Sequence, residues 1–125
     1  KADIKAYIES KYGYDLNRTW EYLNKTYDWD SSCQGTVPEA IIAFLESENF
    51  EDAIRKAVSM GGDSDTLACI TGGIAEAFYG EIPEYMIEAT RRVFPPIFHK
   101  ILDAMKVKRS YRLLNVDPNE KQIYD

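Results

Sequence analysis

The amino-acid sequence predicts an all-α fold, a compact bundle of about six helices that forms one domain over residues 1–125. Three observations predict it. In several segments apolar side chains recur three or four residues apart, which is the spacing of one face of a helix. No segment alternates strictly between apolar and polar residues, as a half-buried strand does. The run from Leu67 to Gly80 is apolar on nearly every side and rich in alanine, which favours a buried helix over a strand.

Composition narrows the class of protein before any motif is considered. Hydrophobic residues make up 45% and aromatic residues 13% of the chain, so it can bury a core and is not a disordered segment. The net charge of −6 argues against general binding to nucleic acid or to anionic membranes. No stretch approaches the length of a membrane span, and no signal peptide is recognisable. Two cysteines without metal-ligand spacing favour a reduced, cytoplasmic setting.

The first two helices are indicated by apolar spacing and by their boundary residues. From Ala2 to Tyr12 the apolar residues fall on one face, and Gly13 ends the segment. Asn17 is then in a position to cap a shorter helix, which we expect to run to about Lys25. The chain is therefore expected to open with two short helices.

A polar loop and a third helix follow. Residues 27–35 lack periodicity and are rich in loop-forming residues. Asp28 and Asp30 invite a metal-site interpretation, but no further ligands lie beside them, so we interpret them as solvated loop acids. Thr36 and Glu39 stand three residues apart before an apolar run, which is the pattern of a capping box. This pattern places the N-cap of the third helix at Thr36.

The fourth helix begins near Asn49 and carries an amphipathic stripe made of Phe50, Ala53, Ile54, Ala57 and Val58. It leads to the paired glycines Gly61 and Gly62, which precede the long apolar helix. A second pair, Gly72 and Gly73, lies inside that helix at a cost of about 1 kcal/mol per glycine relative to alanine. We interpret this second pair as a place of close approach by another helix or by a ligand, and packing by a helix is the favoured interpretation.

The last part of the sequence predicts two more helices. Pro83 opens the first of them, and two consecutive prolines end it. His99, the single histidine of the sequence, has no orienting partner in the pattern, so we interpret it as a structural residue. The basic cluster at residues 106–109 is interpreted as the solvated end of the last helix and not as a nucleic-acid site. The tail after Asp103 receives no role.

The segment 61–66, Gly-Gly-Asp-Ser-Asp-Thr, carries most of the functional information. Its glycines permit a tight turn with positive φ, and four oxygen-bearing side chains follow them at the start of a helix. One interpretation is capping, in which Asp63 or Ser64 satisfies free N–H groups and Asp65 complements the helix dipole. The other is a Mg²⁺ or Ca²⁺ site, because carboxylate and hydroxyl oxygens suit hard cations. The segment has neither the ligand spacing of an EF-hand nor the lysine of a phosphate-binding loop.

The residues around this segment closely resemble the ADP-ribosylglycohydrolase family. The resemblance lies in Ser59–Ala68, SMGGDSDTLA, and in its continuation Ile74–Pro83, IAEAFYGEIP. The preceding stretch Ser32–Ile41, SCQGTVPEAI, resembles the segment that comes before this motif in bacterial members. The similarity spans about residues 27–83. The family includes the dinitrogenase-reductase-activating glycohydrolases and the hydrolases of ADP-ribosyl-arginine and ADP-ribosyl-serine.

The resemblance implies a larger all-α fold that holds two Mg²⁺ ions, which Mn²⁺ can replace. In the family these ions hold the ribose hydroxyls of an ADP-ribosyl group and a water molecule. The resemblance implies that Asp65 touches both ions and is the catalytic carboxylate. It also implies that Asp63 and Thr66 are metal ligands beside it.

The implied substrate is an ADP-ribosylated protein or a small molecule that contains ADP-ribose. The reaction is hydrolysis of the glycosidic bond that joins ADP-ribose to a protein side chain or small acceptor, through an oxocarbenium-like transition state. The resemblance places Gly35, Thr36 and Val37 along the ADP-ribose cleft. We group Gly62 and Ser64 with them as substrate-binding residues.

The chain departs from the family pattern in one respect. The other metal ligands of the family come from an N-terminal Thr-Asp-Asp cluster, and no such tripeptide occurs in this sequence. The chain also begins at Lys1 inside a helical pattern. We therefore expect roughly the C-terminal half of an ADP-ribosyl hydrolase, inactive or nearly so by itself. Because half a fold exposes apolar surface, we expect self-association or pairing with a complementary N-terminal half.

Two other functions stay open. The same helices can form a non-catalytic binding or structural module in which Asp63 and Asp65 only cap a helix. A Mg²⁺-dependent phosphohydrolase with Asp63 as nucleophile is disfavoured, because that class places D-x-D-x-T after a buried strand, and here D-x-D-T precedes a helix. The presence or absence of a Thr-Asp-Asp cluster upstream in the gene would decide between the hydrolase and the structural module.

Overall fold

The computed structural model describes the backbone of residues 1–114 and the side chains of residues 1–106. Within this part of the chain there are seven α-helices and no strand, which confirms the all-α prediction. The helices are α1 Ala2–Tyr12, α2 Trp20–Thr26, α3 Cys33–Leu45, α4 Phe50–Ser59, α5 Ser64–Tyr79, α6 Glu84–Val93 and α7 Pro96–Leu114. The tail from residue 115 onwards, to which the sequence assigns no role, lies outside the described residues.

The chain forms two compact units, one from Lys1 to Pro83 and one from Glu84 onwards. The first unit contains α1 to α5 and all residues of the resemblance. The assignment of residues 1–125 to one domain of a larger fold stays a prediction.

The core of the first unit is built on α3, which is buried along most of its length because its mid-section is almost entirely apolar. α5 packs against both α3 and α4, and α4 also packs against α3. The fully buried side chains of this core include Leu23, Ile42, Phe44, Leu67 and Thr71. Burying each large aliphatic or aromatic side chain contributes about 1.5–3 kcal/mol.

The side chain of Lys1 joins α1 to the end of α3. Its Nζ donates to the carbonyl oxygens of Phe44, at 2.9 Å, and Ser47, at 2.5 Å, and to the hydroxyl of Tyr79, at 2.6 Å. Carbonyl groups at the C-terminus of a helix have no intrahelical partner, so an ammonium group there satisfies them and complements the helix dipole. No residue of α1 is itself buried.

The N-caps of two helices differ from the prediction. α3 begins at Cys33, and its N-cap is Ser32, whose hydroxyl accepts from the N–H of Gly35 at 3.1 Å. The predicted capping box at Thr36 is therefore wrong, since Thr36 lies inside the first turn. α2 is capped by the side chain of Thr19 and not by Asn17. These short polar side chains compete for the same role, and the pattern alone does not separate them.

Other boundaries agree with the sequence. Gly13 ends α1 with a left-handed φ of 69°. Asn49 caps α4 by accepting from the N–H of Asp52 at 2.9 Å. α6 ends at Val93, ahead of the two prolines, and Pro96 is the first residue of α7.

α5 is a helix as predicted, but it is buried on one face only and not on nearly every side, as its apolar sequence suggested. The buried residues are Leu67, Thr71 and Ala75, spaced four residues apart on the side that meets α3 and α4. The two glycines inside α5, Gly72 and Gly73, therefore differ in their surroundings. A β-carbon on Gly72 would lie 3.0 Å from Cδ1 of Ile54 on α4, as the packing interpretation predicts, whereas one on Gly73 would meet nothing within 4 Å.

The second unit is an α6–α7 pair. Arg91 on α6 pairs with Asp103 on α7 at 2.7 Å, and the rings of Phe94 and Phe98 meet edge to face at 5.6 Å between centroids. Nε2 of His99 lies 3.3 Å from the carbonyl oxygen of Phe94, a backbone contact at the start of α7. None of the described helices has both the length and the apolar character needed to cross a membrane.

Candidate functional site

The turn between α4 and α5 adopts a conformation that requires its glycines. Gly61 and Gly62 have φ values of 76° and 57°, in the left-handed region that side chains with a β-carbon disfavour. The turn brings the chain directly into α5, with Asp63 at the N-cap position. The Asp63 side chain accepts no hydrogen bond from the N–H groups of α5, so its carboxyl is not used as a cap.

The carboxyl of Asp65 lies on the first turn of α5, two residues after that of Asp63 at the N-cap position. Hydrogen bonding with the Asp63 side chain is the first cause that holds the pKa of the Asp65 carboxyl below its ordinary value. The backbone N–H groups of Thr66 and of Asp65 itself act in the same direction, and the first of them donates to Oδ1 at 3.1 Å.

The donor set fits a hard cation in kind but not in number. Asp63, Asp65 and Thr66 offer carboxylate and hydroxyl oxygens, the ligands that Mg²⁺ prefers, from a single segment. Among the residues that the structure describes, no group of three or more Asp, Glu, His or Cys side chains stands close enough together to hold a metal ion. Mg²⁺ prefers six ligands in octahedral order, so this chain provides part of a site.

The ring of Tyr27 packs against the turn that carries the two carboxylates. A β-carbon on Gly62 would lie 2.8 Å from Cε1 of Tyr27 and 3.3 Å from the carbonyl oxygen of Asp28. Both distances are shorter than normal van der Waals contact. Only glycine therefore fits at this position, for its positive φ and for the close approach of the α2–α3 loop.

The same loop folds back onto the first turn of α3. The Asp30 carboxylate accepts from the N–H of Ser32 at 2.7 Å, and the Asp30 carbonyl accepts from the Thr36 hydroxyl at 3.0 Å. The Asp30 side chain lies directly over Gly35 and leaves no room for a β-carbon on that residue. Asp30 is thus a partly exposed loop acid that is held in place by these bonds. The hydrogen bonds from Ser32 lower the pKa of its carboxyl.

The hydroxyl of Tyr27 is buried between these two regions without a hydrogen-bond partner of good geometry. Burial is the main cause that raises its pKa. The neighbouring Thr36 hydroxyl acts in the opposite direction, and the carboxylates of Glu39, Asp30 and Asp63 add to the rise. Tyr27 is therefore the residue at which the two stretches of the predicted site meet.

Glu39 supplies a second buried group. Its side chain is only 6% exposed, and Oε1 pairs with Nη1 of Arg18 at 2.5 Å. The other oxygen, Oε2, is buried without a hydrogen-bond partner. Neither Tyr27 nor this role of Glu39 was predicted. The sequence signal for Glu39 is a charged residue within the otherwise apolar run of α3. The capping-box interpretation assigns this residue a different role.

The remaining predicted site residues lie nearby in the fold. Ser64 is the first residue of α5 and is half-buried, and Thr66 is exposed on the first turn of the same helix. Val37 is half-buried and packs against the core. A cavity of about 240 Å³ in the first unit lies elsewhere, and none of the predicted site residues lines it.

The family model described as ADP-ribosylglycohydrolase matches residues 3–119. A protein of Acanthamoeba polyphaga mimivirus that carries the name ADP-ribosyl glycohydrolase is 39% identical over 88 residues, which are 66% of this chain and 26% of that protein. An uncharacterised protein of Archaeoglobus fulgidus is 33% identical over 75 residues, 60% of this chain and 25% of its own length.

A shorter match covers the ADP-ribosylarginine hydrolase Tri1 of Serratia proteamaculans. It is 44% identical over 45 residues, 36% of this chain and 12% of that enzyme. The chain thus spans about a quarter or less of the length of each of these relatives. No solved structure matches the chain.

Proposed function

Because the chain belongs to the ADP-ribosylglycohydrolase family, we propose that it supplies one part of a metal site that hydrolyses a bond to ADP-ribose. The bond is the glycosidic link between ADP-ribose and a protein side chain or small acceptor. One similar protein is named as an ADP-ribosylarginine hydrolase, which makes arginine one candidate acceptor. The observation that carries the proposal is the position of Asp63 and Asp65 at the start of α5, directly after a turn of two glycines with positive φ.

The metal proposed for the site is Mg²⁺, with two ions in the complete site and Mn²⁺ as a substitute. Asp63, Asp65 and Thr66 would hold it from this chain. When bound, Mg²⁺ supplies the positive charge that orients ribose hydroxyls and a water molecule. Hard oxygen donors and a carboxyl with a lowered pKa support this assignment.

The residues of the chain have separate roles in the proposal. The pKa of the Asp65 carboxyl is lowered by its hydrogen bonds, and this carboxylate can counter the positive charge that develops at the anomeric carbon. The exposed Gly62 backbone and Ser64 border the ligand beside it. Gly35, Thr36 and Val37 are proposed along the cleft, where Thr36 fixes the loop through the Asp30 carbonyl.

The remaining metal ligands are proposed to come from a second stretch of protein. Asp65, Cys69, Gly73 and Ala77 are all exposed and lie four residues apart on one side of α5. This stripe of small residues continues directly from the carboxylate, so a helix that docked on it would bring its own ligands next to Asp65. We propose that a complementary N-terminal half, or a second copy of the chain, does so. The isolated chain is then inactive or nearly so.

The proposed setting is the cytoplasm. Cys33 and Cys69 are both free thiols, as a reducing compartment would keep them. The proposed partners are the ADP-ribosylated protein or small molecule and the complementary half, with no nucleic acid and no membrane.

The test is calorimetric titration of Mg²⁺, then of ADP-ribose, into the chain alone and into a protein that also contains the Thr-Asp-Asp stretch. We expect saturable binding by the longer protein, lost in Asp65→Asn and retained in Asp3→Asn, which changes an exposed acid in α1. Hydrolysis of an ADP-ribosylated peptide should follow the same pattern. If the longer protein binds neither ligand, the helices are a non-catalytic module and the proposal is wrong.

A further inference from the structure

Four oxygen atoms surround the ammonium group of Lys1 beyond the end of α3. Nζ donates to the carbonyl oxygens of Phe44 and Ser47 and to the hydroxyl of Tyr79, and the Ser47 hydroxyl lies 3.4 Å away. Phe44 and Ser47 are buried, and Tyr79 is half-buried. These oxygens of Phe44, Ser47 and Tyr79 form the ammonium cluster of the first unit.

The hydrogen bonds within the ammonium cluster leave only acceptors facing Nζ. The Ser47 hydroxyl donates to the carbonyl oxygen of Phe44 at 2.6 Å, and the Tyr79 hydroxyl donates to that of Ser47 at 2.8 Å. Both hydroxyl hydrogens are therefore used inside the cluster. A primary ammonium group has three N–H donors and no acceptor, so it matches the free lone pairs better than an alcohol, which has a single donor.

Two further features favour a positive charge at this place. The carbonyl group of Phe44 belongs to the last turn of α3, where the helix dipole attracts cations. The rings of Phe44, Phe78 and Tyr79 also face Nζ, with centroids 4.8, 5.6 and 5.0 Å away. Oxygen acceptors and aromatic faces together describe a site for a small ammonium ion.

The helix α1 has few other attachments to the first unit. None of its residues is buried, and no other helix of the described part of the chain packs extensively on it. Ile4 and Ile8 pack partly against the core, and the bond from Nζ of Lys5 to Asn17 lies on the surface. The ammonium group of Lys1 therefore carries a large share of the docking of α1.

We propose that the ammonium cluster is a binding site for a primary ammonium group, and that its occupation by Lys1 holds α1 on the first unit. The site is separate from the proposed metal site, because Asp65 lies on the first turn of α5 and Tyr79 is its last residue, about 21 Å away along the axis. Lys1, Ala2 and Lys5 also line the cavity of about 240 Å³, so release of α1 would open that cavity. The competing explanation is that Lys1 docks only through the packing of its aliphatic stem.

The first experiment measures hydrogen exchange of the backbone amides of α1 by NMR. Lys1→Met keeps the length of the side chain and removes the ammonium group. We expect exchange in α1 to become about tenfold faster or more, because a hydrogen bond to a charged group contributes at least that factor. Lys5→Met removes an exposed ammonium group one turn later and is the matched control, with a much smaller effect. Equal protection of α1 in Lys1→Met and the parent chain overturns the proposal.

A second variant tests the acceptor side of the same contact. Tyr79→Phe keeps Lys1 and the aromatic ring but removes one acceptor, so exchange in α1 should again become faster, though less than in Lys1→Met. Tyr22→Phe, which changes an exposed tyrosine of α2, should leave it unchanged. Unchanged exchange of α1 in Tyr79→Phe contradicts the proposal, and this variant stays informative even where a change at Lys1 prevents folding.

The third experiment tests the cluster as a binding site for a free ligand. Lys1→Ala removes three carbons and the nitrogen, which n-propylammonium replaces. With ¹⁵N-glycine labelling, the signal of Gly80 reports on the adjacent Tyr79, and it is assigned by its loss in Gly80→Asn. We expect n-propylammonium to move this signal saturably towards its position in the parent chain.

Two control probes separate the chemistry of the ligand. Propan-1-ol has the same shape as n-propylammonium without the charge, and tetramethylammonium has the charge without N–H donors. Neither should move the Gly80 signal of Lys1→Ala as n-propylammonium does. An equal shift with either control, or no saturable shift with n-propylammonium, overturns the proposal. None of these readouts depends on magnesium or turnover.

Discussion

The hydroxyl of Thr71 donates a hydrogen bond to the carbonyl oxygen of Ala40 at 2.9 Å, and both residues are fully buried. The bond joins the middle of α5 to the middle of α3. Because side chains on a helix are fixed in angle relative to one another, it also sets the rotation of α5 and hence the side on which Asp65 emerges.

Replacing Thr71 by valine should destabilise the first unit. Thr71→Val keeps the shape of the side chain but removes the donor, and we expect a loss of about 1–2 kcal/mol in the free energy of unfolding. Thr71→Ser keeps the donor and loses one methyl group, so its loss of stability measures the packing contribution of that methyl group alone. The measurement is the urea midpoint of each variant with an unchanged m-value. Equal stability of Thr71→Val and the parent chain would show that the bond contributes nothing.

The two glycines of the turn should respond differently to alanine. Gly61→Ala meets no neighbouring atom, so its cost is the positive φ alone, about 1–2 kcal/mol. Gly62→Ala has the same backbone cost and also places its β-carbon 2.8 Å from the Tyr27 ring, which adds about 1–3 kcal/mol. Urea denaturation of both variants measures the difference. A Gly62→Ala variant as stable as Gly61→Ala would contradict the contact with Tyr27.

The glycine pair inside α5 offers a stabilising change. Gly73→Ala has open space around its β-carbon, so it should raise the free energy of unfolding by about 0.5–1 kcal/mol through helix propensity. Gly72→Ala should gain less, because its β-carbon would lie 3.0 Å from Cδ1 of Ile54, which must move. Thermal denaturation of the two variants side by side checks the order. The reverse order would mean that the exposed side of α5 is occupied in solution.

The stabilisation by Asp30 should depend on pH. Its carboxyl has a folded-state pKa below the ordinary value of 3.8, because it accepts hydrogen bonds from Ser32. The stabilisation is therefore complete above pH 3.8 and is lost as the pH falls through the lowered folded-state pKa. Asp30→Asn should be less stable than the parent chain near neutral pH, and the two should converge in acid. Urea midpoints at several pH values measure this, and a gap that persists at low pH would assign the effect to shape instead of charge.

Much of the fold follows from local signals in the sequence. Gly13 ends α1 and Asn49 caps α4, as expected, because each acts on backbone groups within a few residues of itself. The N-cap of α3 does not follow from the local pattern. Ser32 and Thr36 both precede suitable N–H groups, and in the structure Ser32 is the one that caps the helix. Apolarity likewise indicated α5 as a helix, but which face is covered depends on where α3 and α4 lie.

The sequence predicts which residues of the candidate site could bind a metal, but not which residues hold them in place. Asp63 and Asp65 belong to one short motif, so the sequence alone indicates that they lie close together. The contact between Tyr27 and Gly62 joins residues far apart in the chain, and no periodicity encodes it. The pair of Arg18 and Glu39, 21 residues apart, is equally non-local. A single sequence shows charges but not the burial that gives these residues their roles.

The packing of α3, α4 and α5 on one another also has a kinetic consequence. α3 and α4, like α4 and α5, follow each other in the chain and pack on each other, so these contacts need only short loops to close and can form quickly. The turn that carries Asp63 and Asp65 closes as part of this fast local step. The docking of α1 through Lys1 and Tyr79, 78 residues apart, has to wait for a much longer loop to close. The turn that presents Asp63 and Asp65 is therefore expected to form early, before the amino-terminal helix is in place.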